Sequence, residues 1–330
     1  MTLTGAASAL SADVGRTVIV LYGPTASGKS DLAVTLAEQL DGVVINADSL
    51  QLYTELRILT ARPGNSAMAR APHRLFGILP ASQTSSAAWW RDKALAEIAE
   101  AHAAAKYAIV TGGTGLYLKT LIEGLSPVPA ANMEARSQAT ALYEELGGTA
   151  FRAALASRDP AAAARLMAGD RQRLIRAWEV VEATGTALSD WQAMARDPGH
   201  SLAFSLVGLM PDRAELYERI DRRFETMLER GALEEAARFD ALNLSPALPA
   251  NKALGLTELR CHLKGECDLA EAVRLAQQAS RNYAKRQMTW FRHQLPSEKK
   301  SPLPHVTHAQ FAELSERNLA EIMSFILRPG

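Results

Sequence analysis

The chain has little cysteine, no excess of either charge and no apolar run of membrane length. Two cysteines in 330 residues, Cys261 and Cys267, leave no disulfide framework and fit a reducing compartment. With His262 between them they offer at most three soft ligands and no second pair. Ordinary helix and loop cysteines are expected there, not a zinc site. Lys plus Arg number 36, as do Asp plus Glu. A formal charge of zero excludes a globally basic surface while leaving room for a local basic groove. No uninterrupted apolar span suits a membrane helix, and Met1–Arg16, rich in small residues, lacks the basic start of a signal peptide. Residues 1–16 read as a disordered leader, and a cytoplasmic location with no membrane partner is expected. The length suits two domains, or one with a large insertion.

What the chain does have is Gly23-Pro24-Thr25-Ala26-Ser27-Gly28-Lys29-Ser30, which fits the pattern G-x-x-x-x-G-K-[ST]. An apolar run, Thr17–Tyr22, leads into it. Asp31 suits the first turn of a helix, and Leu32, Ala33, Leu36, Ala37 and Leu40 then recur at helical spacing. Strand, glycine-rich turn and helix are the context that this motif requires. Backbone N–H groups of the turn and of the first helical turn converge on phosphate oxygens. Lys29 adds a mobile positive charge and Ser30 a hydroxyl for a divalent metal. A polyphosphate ligand is expected.

Val43–Ala47 is a second short strand, parallel to the first because an apolar helix joins them. Asp48 then falls at the C-terminal sheet edge, on the side of the phosphate loop, where open parallel sheets bind ligands. It can cap a helix, act in chemistry, or do both. Ser49, Gln51 and Tyr53 continue this polar cluster. Arg57–Pro80 shows no periodicity and is expected as a functional loop. A helix over Ala87–Ala105 and a strand over Tyr107–Thr111 precede Gly112-Gly113-Thr114-Gly115-Leu116-Tyr117. There paired glycines allow close backbone approach, and Thr114 can present a hydroxyl near the phosphate loop.

Composition shifts at Pro127-Val128-Pro129. Residues 130–197 read as an α-helical insertion, with Leu174, Trp178 and Val181 as an apolar stripe. Gln172, Arg173 and Arg176 crowd a neighbouring polar face, open to solvent or to a phosphate partner. A fourth strand, Phe204–Leu209, leads into a helix whose buried face is Leu216, Ile220, Phe224 and Met227. Arg219 and Arg223 border that face and Arg222 points elsewhere, so either of the first two can clamp phosphate or snorkel to solvent. Helices follow over Leu256–Leu263 and Leu269–Gln294. Seven Lys or Arg stand between Arg274 and Lys300 against one acid, Glu298. Arg281, Lys285 and Arg292 share a face there, with Tyr283, Trp290 and Phe291 interleaved, which fits a nucleic-acid backbone. The expected fold is therefore α/β: a P-loop NTPase-like parallel sheet flanked by helices, with an α-helical insertion domain. Its core is 17–129 and 198–295, and 296–330, with His305 and His308, is a tail without a readable motif.

A phosphate loop with one carboxylate at the sheet edge permits two chemistries. One is phosphoryl transfer from a nucleoside triphosphate. The other binds pyrophosphate as a leaving group while the carboxylate deprotonates or positions an incoming amine. Residue types alone leave both open; the basic helix and the arginines of the insertion favour a polynucleotide acceptor.

Five blocks resemble the bacterial tRNA dimethylallyltransferases, in that family's order: Gly23–Ser30, Asp48–Tyr53, Gly112–Tyr117, Asp170–Arg173 with Arg176–Glu179, and Arg281–Gln287 with Thr289–Arg292. The resemblance implies transfer of a dimethylallyl group from dimethylallyl diphosphate to N6 of adenosine 37 in tRNAs reading codons that begin with U. Diphosphate is released, and the enzyme is expected to be a monomer. It implies that Asp48 is the general base. Thr25 and Arg223 would contact the diphosphate, Lys29 and Ser30 would complete the anion and Mg2+ site, and Arg219 is the reserve for the arginine role. By the same resemblance, Asp48, Ser49, Leu50, Gln51, Thr114, Arg136, Gln172, Arg173, Leu174, Ile175 and Arg176 correspond to tRNA-contacting positions. The insertion would grip the anticodon stem-loop, with Arg281, Lys285 and Arg286 on its backbone.

This chain departs from the family at Glu55, Arg57 and Leu59, where small residues and an acid are usual. It departs again at Gly77, where an acid is usual, and at Leu256, where a tyrosine is common. These departures bear on rate and tRNA preference rather than on reaction class. A small-molecule kinase would not need the insertion, and a transferase acting on free AMP would not need the basic helix. A non-catalytic RNA-binding protein would not need Thr25, Lys29 and Asp48 together.

Overall fold

A computed structural model describes residues 17–129, 133–196, 198–295, 306–312 and 316–326. The leader expected at 1–16 lies outside them. Among the described residues the chain forms two compact units, residues 123–199 and the rest.

The larger unit is built on a parallel sheet of β1 (Thr17–Tyr22), β2 (Gly42–Asn46), β3 (His73–Arg74), β4 (Tyr107–Gly112), β5 (Ala203–Leu209) and β6 (Val306–Ala312). Their order is β3-β2-β4-β1-β5-β6. β1 lies between β4 and β5, with Val18 opposite Ala108 on one side and Phe204 on the other. The side-chain period of two divides β1 between two cores. Val18, Val20 and Tyr22 enter one layer, whereas Ile19 and Leu21 enter the other. The first layer holds Trp90, Leu118, Phe224 and Phe291 from four different helices. The second holds Leu32 and Leu36 of the helix Lys29–Leu40. β2 follows β1 in the chain yet pairs with β4, while β5 takes the opposite flank of β1. The sheet therefore reverses direction beside β1, and the crevice at its C-terminal end is the place where such sheets bind ligands.

Within the tail expected at 296–330, the described residues 306–312 and 316–326 belong to this architecture. Val306–Ala312 pairs in parallel with β5, with a register shift between Phe204 and Ser205. The helix Glu316–Ile326 buries Ile322, Phe325 and Ile326 in the second layer. The region expected as an irregular loop, Arg57–Pro80, contains a short helix, Asn65–Arg70, and the two residues of β3.

Glu235 anchors the start of that region. Its carboxylate, 4% exposed, accepts hydrogen bonds from the backbone N–H groups of Arg57, Ile58 and Leu59, each at 2.9 Å. Three converging donors offset the desolvation of a buried charge. Replacing Glu235 by Gln turns an NH2 group against those donors. The expected loss is about 2–3 kcal/mol of stability, read as a lower urea midpoint at unchanged m-value. An unchanged midpoint would mean that the loop is held by other contacts.

The smaller unit packs Phe151, Leu155, Ala162, Leu174, Ala177 and Val180 into its own core. The expected stripe of Leu174, Trp178 and Val181 is only partly what is buried. Ile175, Ala177, Glu179 and Val180 join Leu174 on the inner face of the helix Arg171–Thr184, while Trp178 and Val181 are half-buried. The buried charge among them, Glu179, explains the difference. Its carboxylate meets Arg176 Nη1 of the same helix at 2.5 Å and Arg136 Nη1 of a neighbouring helix at 3.4 Å, partners that let a charge sit on the inner face.

Candidate active site

The phosphate loop takes its shape from close approaches and left-handed residues. A Cβ on Gly23 would sit 2.5 Å from the Leu209 carbonyl oxygen at the end of β5, which only glycine tolerates. Ala26 (φ 63°) and Gly28 (φ 87°) are left-handed, and such alternation turns successive N–H groups toward one point. The helix Lys29–Leu40 then starts without a side-chain cap, so no side chain competes for its first N–H groups. Ser27 Oγ is buried with no protein partner, inside the curl of the loop.

Two cations border this loop. Lys29 Nζ donates to the Pro24 carbonyl at 3.0 Å. Arg223, from the helix Arg213–Glu229, donates from Nη2 to Thr25 Oγ1. Burial lowers the Lys29 pKa to about 8; the Asp48 carboxylate opposes that fall and the Arg223 charge adds to it. Burial also lowers the Arg223 pKa, with Asp48 opposing. Asp48 is thus felt by both cations.

The Lys29 shift sets a pH dependence. The lysine is charged below about pH 8 and loses its proton as pH rises through that value. Diphosphate affinity, measured by calorimetry on either side of it, is expected to hold below and to fall above. In a Lys29→Arg chain the guanidinium stays charged and the fall disappears. An identical fall in that variant would place the titration on the ligand instead.

Asp48 stands at the C-terminal end of β2, held on both sides. Its N–H donates to Asn46 Oδ1 at 2.8 Å, and its Oδ1 accepts from Leu50 N at 3.0 Å. Asn46 in turn donates to the carbonyls of Asp48 and Leu75, both at 2.9 Å. Thr114 braces the next residue: its Oγ1 accepts from Ser49 N at 2.9 Å, and its own N–H donates to the Ala47 carbonyl at 3.1 Å. β4 can run this close because Gly112 has no side chain; a Cβ there would sit 2.1 Å from the Ala47 carbonyl carbon.

The two halves face each other across Gly113. A Cβ on Gly113 would lie 3.5 Å from Asp48 Oδ2 and 2.3 Å from Gln287 Nε2. Beside it opens a cleft of about 190 Å³, lined by Thr114, Leu116, Tyr283, Arg286, Gln287 and Trp290 among others. Gly115 lets the Trp290 ring lie against the backbone, where a Cβ would come within 2.2 Å of it. Burial, with the Asp48 charge adding, raises the Tyr283 pKa and keeps that phenol neutral. The arrangement can hold an anion at Thr25, Lys29 and Arg223 while the carboxylate that both cations feel takes a proton from a flat group in the cleft.

Of the residues expected from sequence, the structure brings Thr25, Lys29, Asp48, Thr114 and Arg223 together. Arg219 instead pairs with Glu215 on its own helix. Ser30 is exposed on the first helical turn, beside Lys29. Gln51 gives its amide to the carbonyls of Thr60 and Ala61, at 2.9 and 3.2 Å, and Leu50 packs on the core. Arg281 pairs with Asp221 at 2.5 Å, while Lys285 and Arg286 are exposed. In the smaller unit Leu174 and Ile175 are core residues, Gln172 and Arg173 are exposed, and Arg136 and Arg176 are held by Glu179.

The sequence reading missed Asn46 and Gln287. A sign of the second was available: it is an amide on the stripe Ser280, Ala284, Gln287, Met288 and Phe291, all buried on the helix Leu269–Gln294. A lone amide on an inner face needs a polar partner.

Residues 51–294 match the IPP transferase family. A tRNA dimethylallyltransferase of Rhodospirillum centenum is 54% identical over 281 residues, 85% of this chain and 90% of that one. The full-length tRNA isopentenylpyrophosphate transferase of Bacillus halodurans has a similar structure. Its TM-score is 0.64 at 31% identity, over 94% of this chain and 95% of that one. A eukaryotic dimethylallyltransferase acting on tRNA gives a TM-score of 0.71 at 25% identity, over 84% of this chain and 70% of that one. The matched span contains Thr114, Arg223 and Gln287, three residues of this site, and the chain belongs to the IPP transferase family.

Proposed function

We propose that this protein transfers the dimethylallyl group of dimethylallyl diphosphate to N6 of adenosine 37 in tRNAs reading codons that begin with U. The observation that carries the reading is the meeting of Asp48 with the Thr25, Lys29 and Arg223 cradle at one sheet edge. An exocyclic adenine amine is a weak nucleophile because its lone pair is delocalised into the ring. Asp48 accepts one N6 proton as N6 bonds to C1 of the allyl group. The C1–O bond breaks, and its electron pair leaves with diphosphate. Lys29, Arg223, Thr25 and the loop N–H groups stabilise that charge. The base reaches the cleft by leaving its stack, and Trp290 and Tyr283 supply flat walls for it.

Mg2+ fits this site by its donor set. Ser30 offers a hydroxyl beside the phosphates, and magnesium commonly takes one or two protein ligands, substrate phosphates and waters. When bound, the ion neutralises leaving-group charge. The described residues contain no cluster of three His, Cys, Asp or Glu, so the diphosphate itself would supply most ligands.

The exposed Lys285 and Arg286 suit tRNA phosphates near the cleft. The smaller unit, with Gln172 and Arg173 exposed and Arg136 and Arg176 ordered by Glu179, is the part assigned to the anticodon stem-loop. No described helix is long and apolar enough to cross a membrane, and a cytoplasmic enzyme fits a tRNA substrate.

The test supplies purified protein with radiolabelled dimethylallyl diphosphate, Mg2+ and unmodified tRNA whose anticodon loop carries three adenosines from position 36. Parallel reactions contain AMP, or γ-labelled ATP. Label at adenosine 37 supports the assignment. Label in AMP moves it to a free-nucleotide transferase, and loss of γ-phosphate without prenyl transfer moves it to a kinase.

A further inference from the structure

Gln287 is 6% exposed, and both polar ends of its amide are engaged across the site. Oε1 accepts from Thr25 N at 2.9 Å, and Nε2 donates to the Gly113 carbonyl at 2.9 Å. Those partners belong to different loops, one leaving β1 and the other leaving β4. The Thr25 loop carries the hydroxyl that meets Arg223. The Gly113 loop continues into Thr114, which braces Ser49 beside Asp48. A single planar amide thus spans the anion cradle and the loop that supports the carboxylate.

We propose that Gln287 is a positioning residue that fixes the distance between the donor's diphosphate and Asp48. The inference rests on the prenyl-transfer reading and assigns the alignment of its two halves to this residue. The chemistry demands glutamine. Its side chain ends in one acceptor and one donor, and the two partners here are a donor and an acceptor. Glutamate could accept from Thr25 N, but it would turn a carboxylate oxygen against the Gly113 carbonyl. Asparagine is one methylene shorter and cannot reach both loops from the same backbone. Gly113 completes the fit, since a Cβ there would lie 2.3 Å from Nε2.

The test compares Gln287→Met, close in size and without hydrogen-bonding groups, with Gln287→Glu, which keeps only the Thr25 bond. Each is made in the wild-type and the Asp48→Asn background, and thermal unfolding is used to confirm folded protein. Misplacement of reacting groups by about 1 Å costs up to about 100-fold in rate. In the wild-type background Gln287→Met is expected to lower kcat about 10- to 100-fold with little change in the KM for tRNA. In the Asp48→Asn background the same change is expected to cost less than about 3-fold, because there is no base left to misalign. Gln287→Glu, which sets a carboxylate oxygen against the Gly113 carbonyl, is expected to lower kcat at least as far as Gln287→Met. A residue needed only for stability gives equal factors in both backgrounds, and that result overturns the proposal.

Diphosphate binding by calorimetry provides a readout independent of the acceptor. It is expected to weaken about 5-fold or more in Gln287→Met as the Thr25 loop loosens. Unchanged diphosphate affinity would also count against the proposal. Wild-type protein that binds diphosphate in a Gln287-dependent manner yet prenylates no tRNA would overturn the acceptor assignment while supporting the link to the phosphate loop.

Discussion

Replacing Asp48 by asparagine is expected to lower the rate of prenyl transfer by about three orders of magnitude and to leave the fold intact. Asparagine is isosteric, and the bond that Asp48 Oδ1 accepts from Leu50 N can be retained by the amide oxygen. The bond from Asp48 N to Asn46 Oδ1 is backbone on this side and is not touched. What is lost is the proton acceptor and a negative charge. The loss falls on kcat at saturating donor and tRNA, because the base acts on N6 only as the C–N bond forms. A second effect follows from the same charge. Asp48 holds the Lys29 pKa up against burial, so in the variant that pKa drops below about 8. Diphosphate affinity then begins to fall at a lower pH than in the wild type. Rate measurements under single-turnover conditions, with calorimetry across pH, read both effects. A kcat within about 10-fold of wild type would mean that another group takes the proton.

The parts of this site that were legible in the sequence share one property: their chemistry follows from local spacing. Gly23–Ser30 requires a strand before and a helix after, and each is visible within a few residues. Asp48 at a strand end and Arg223 beside an apolar helical stripe are readable in the same way. The order of strands is different in kind. β4 stands between β1 and β2, an order that no local spacing within β1 or β2 encodes. β6 was hidden for another reason: Val306-Thr-His-Ala-Gln-Phe-Ala312 lacks a clean alternation, and its pairing with β5 comes from the edge that β5 offers. Gln287 and Glu179 were hidden because each is a polar residue on an inner face. A pattern reading assigns such positions to solvent unless the apolar stripe around them is traced, as Ala284, Met288 and Phe291 allow for Gln287. Only the partners, Thr25 and Gly113 in one case and Arg136 and Arg176 in the other, reveal that they are buried and satisfied.

Arg223→Gln is expected to lower kcat by about 100- to 1000-fold, the scale found when one donor to a developing oxyanion is removed. The arginine is placed for this role by the helix that follows β5, whose Leu216, Ile220, Phe224 and Met227 are buried and so fix the direction of the polar flank. Its guanidinium already donates to Thr25 Oγ1, which orders the side chain before any ligand binds. Little reorganisation is then needed when negative charge grows on the diphosphate, and the reduced dielectric of the half-buried cradle strengthens each contact. Lysine is no substitute, since it lacks the planar fork that can hold Thr25 and a phosphate oxygen together. Arg223→Lys is therefore expected to recover only part of the loss, with KM for the donor raised. Arg222, one residue earlier and exposed, provides the comparison: Arg222→Gln keeps kcat and donor KM within about 2-fold. The variants also separate ground-state from transition-state binding. Charge on the bridging oxygen develops only as C1–O breaks, so Arg223→Gln should lose more in kcat than in diphosphate affinity. The reverse split, with weak diphosphate binding and near-normal kcat at saturation, would make Arg223 a binding residue and leave Lys29 and the loop N–H groups to stabilise the leaving group.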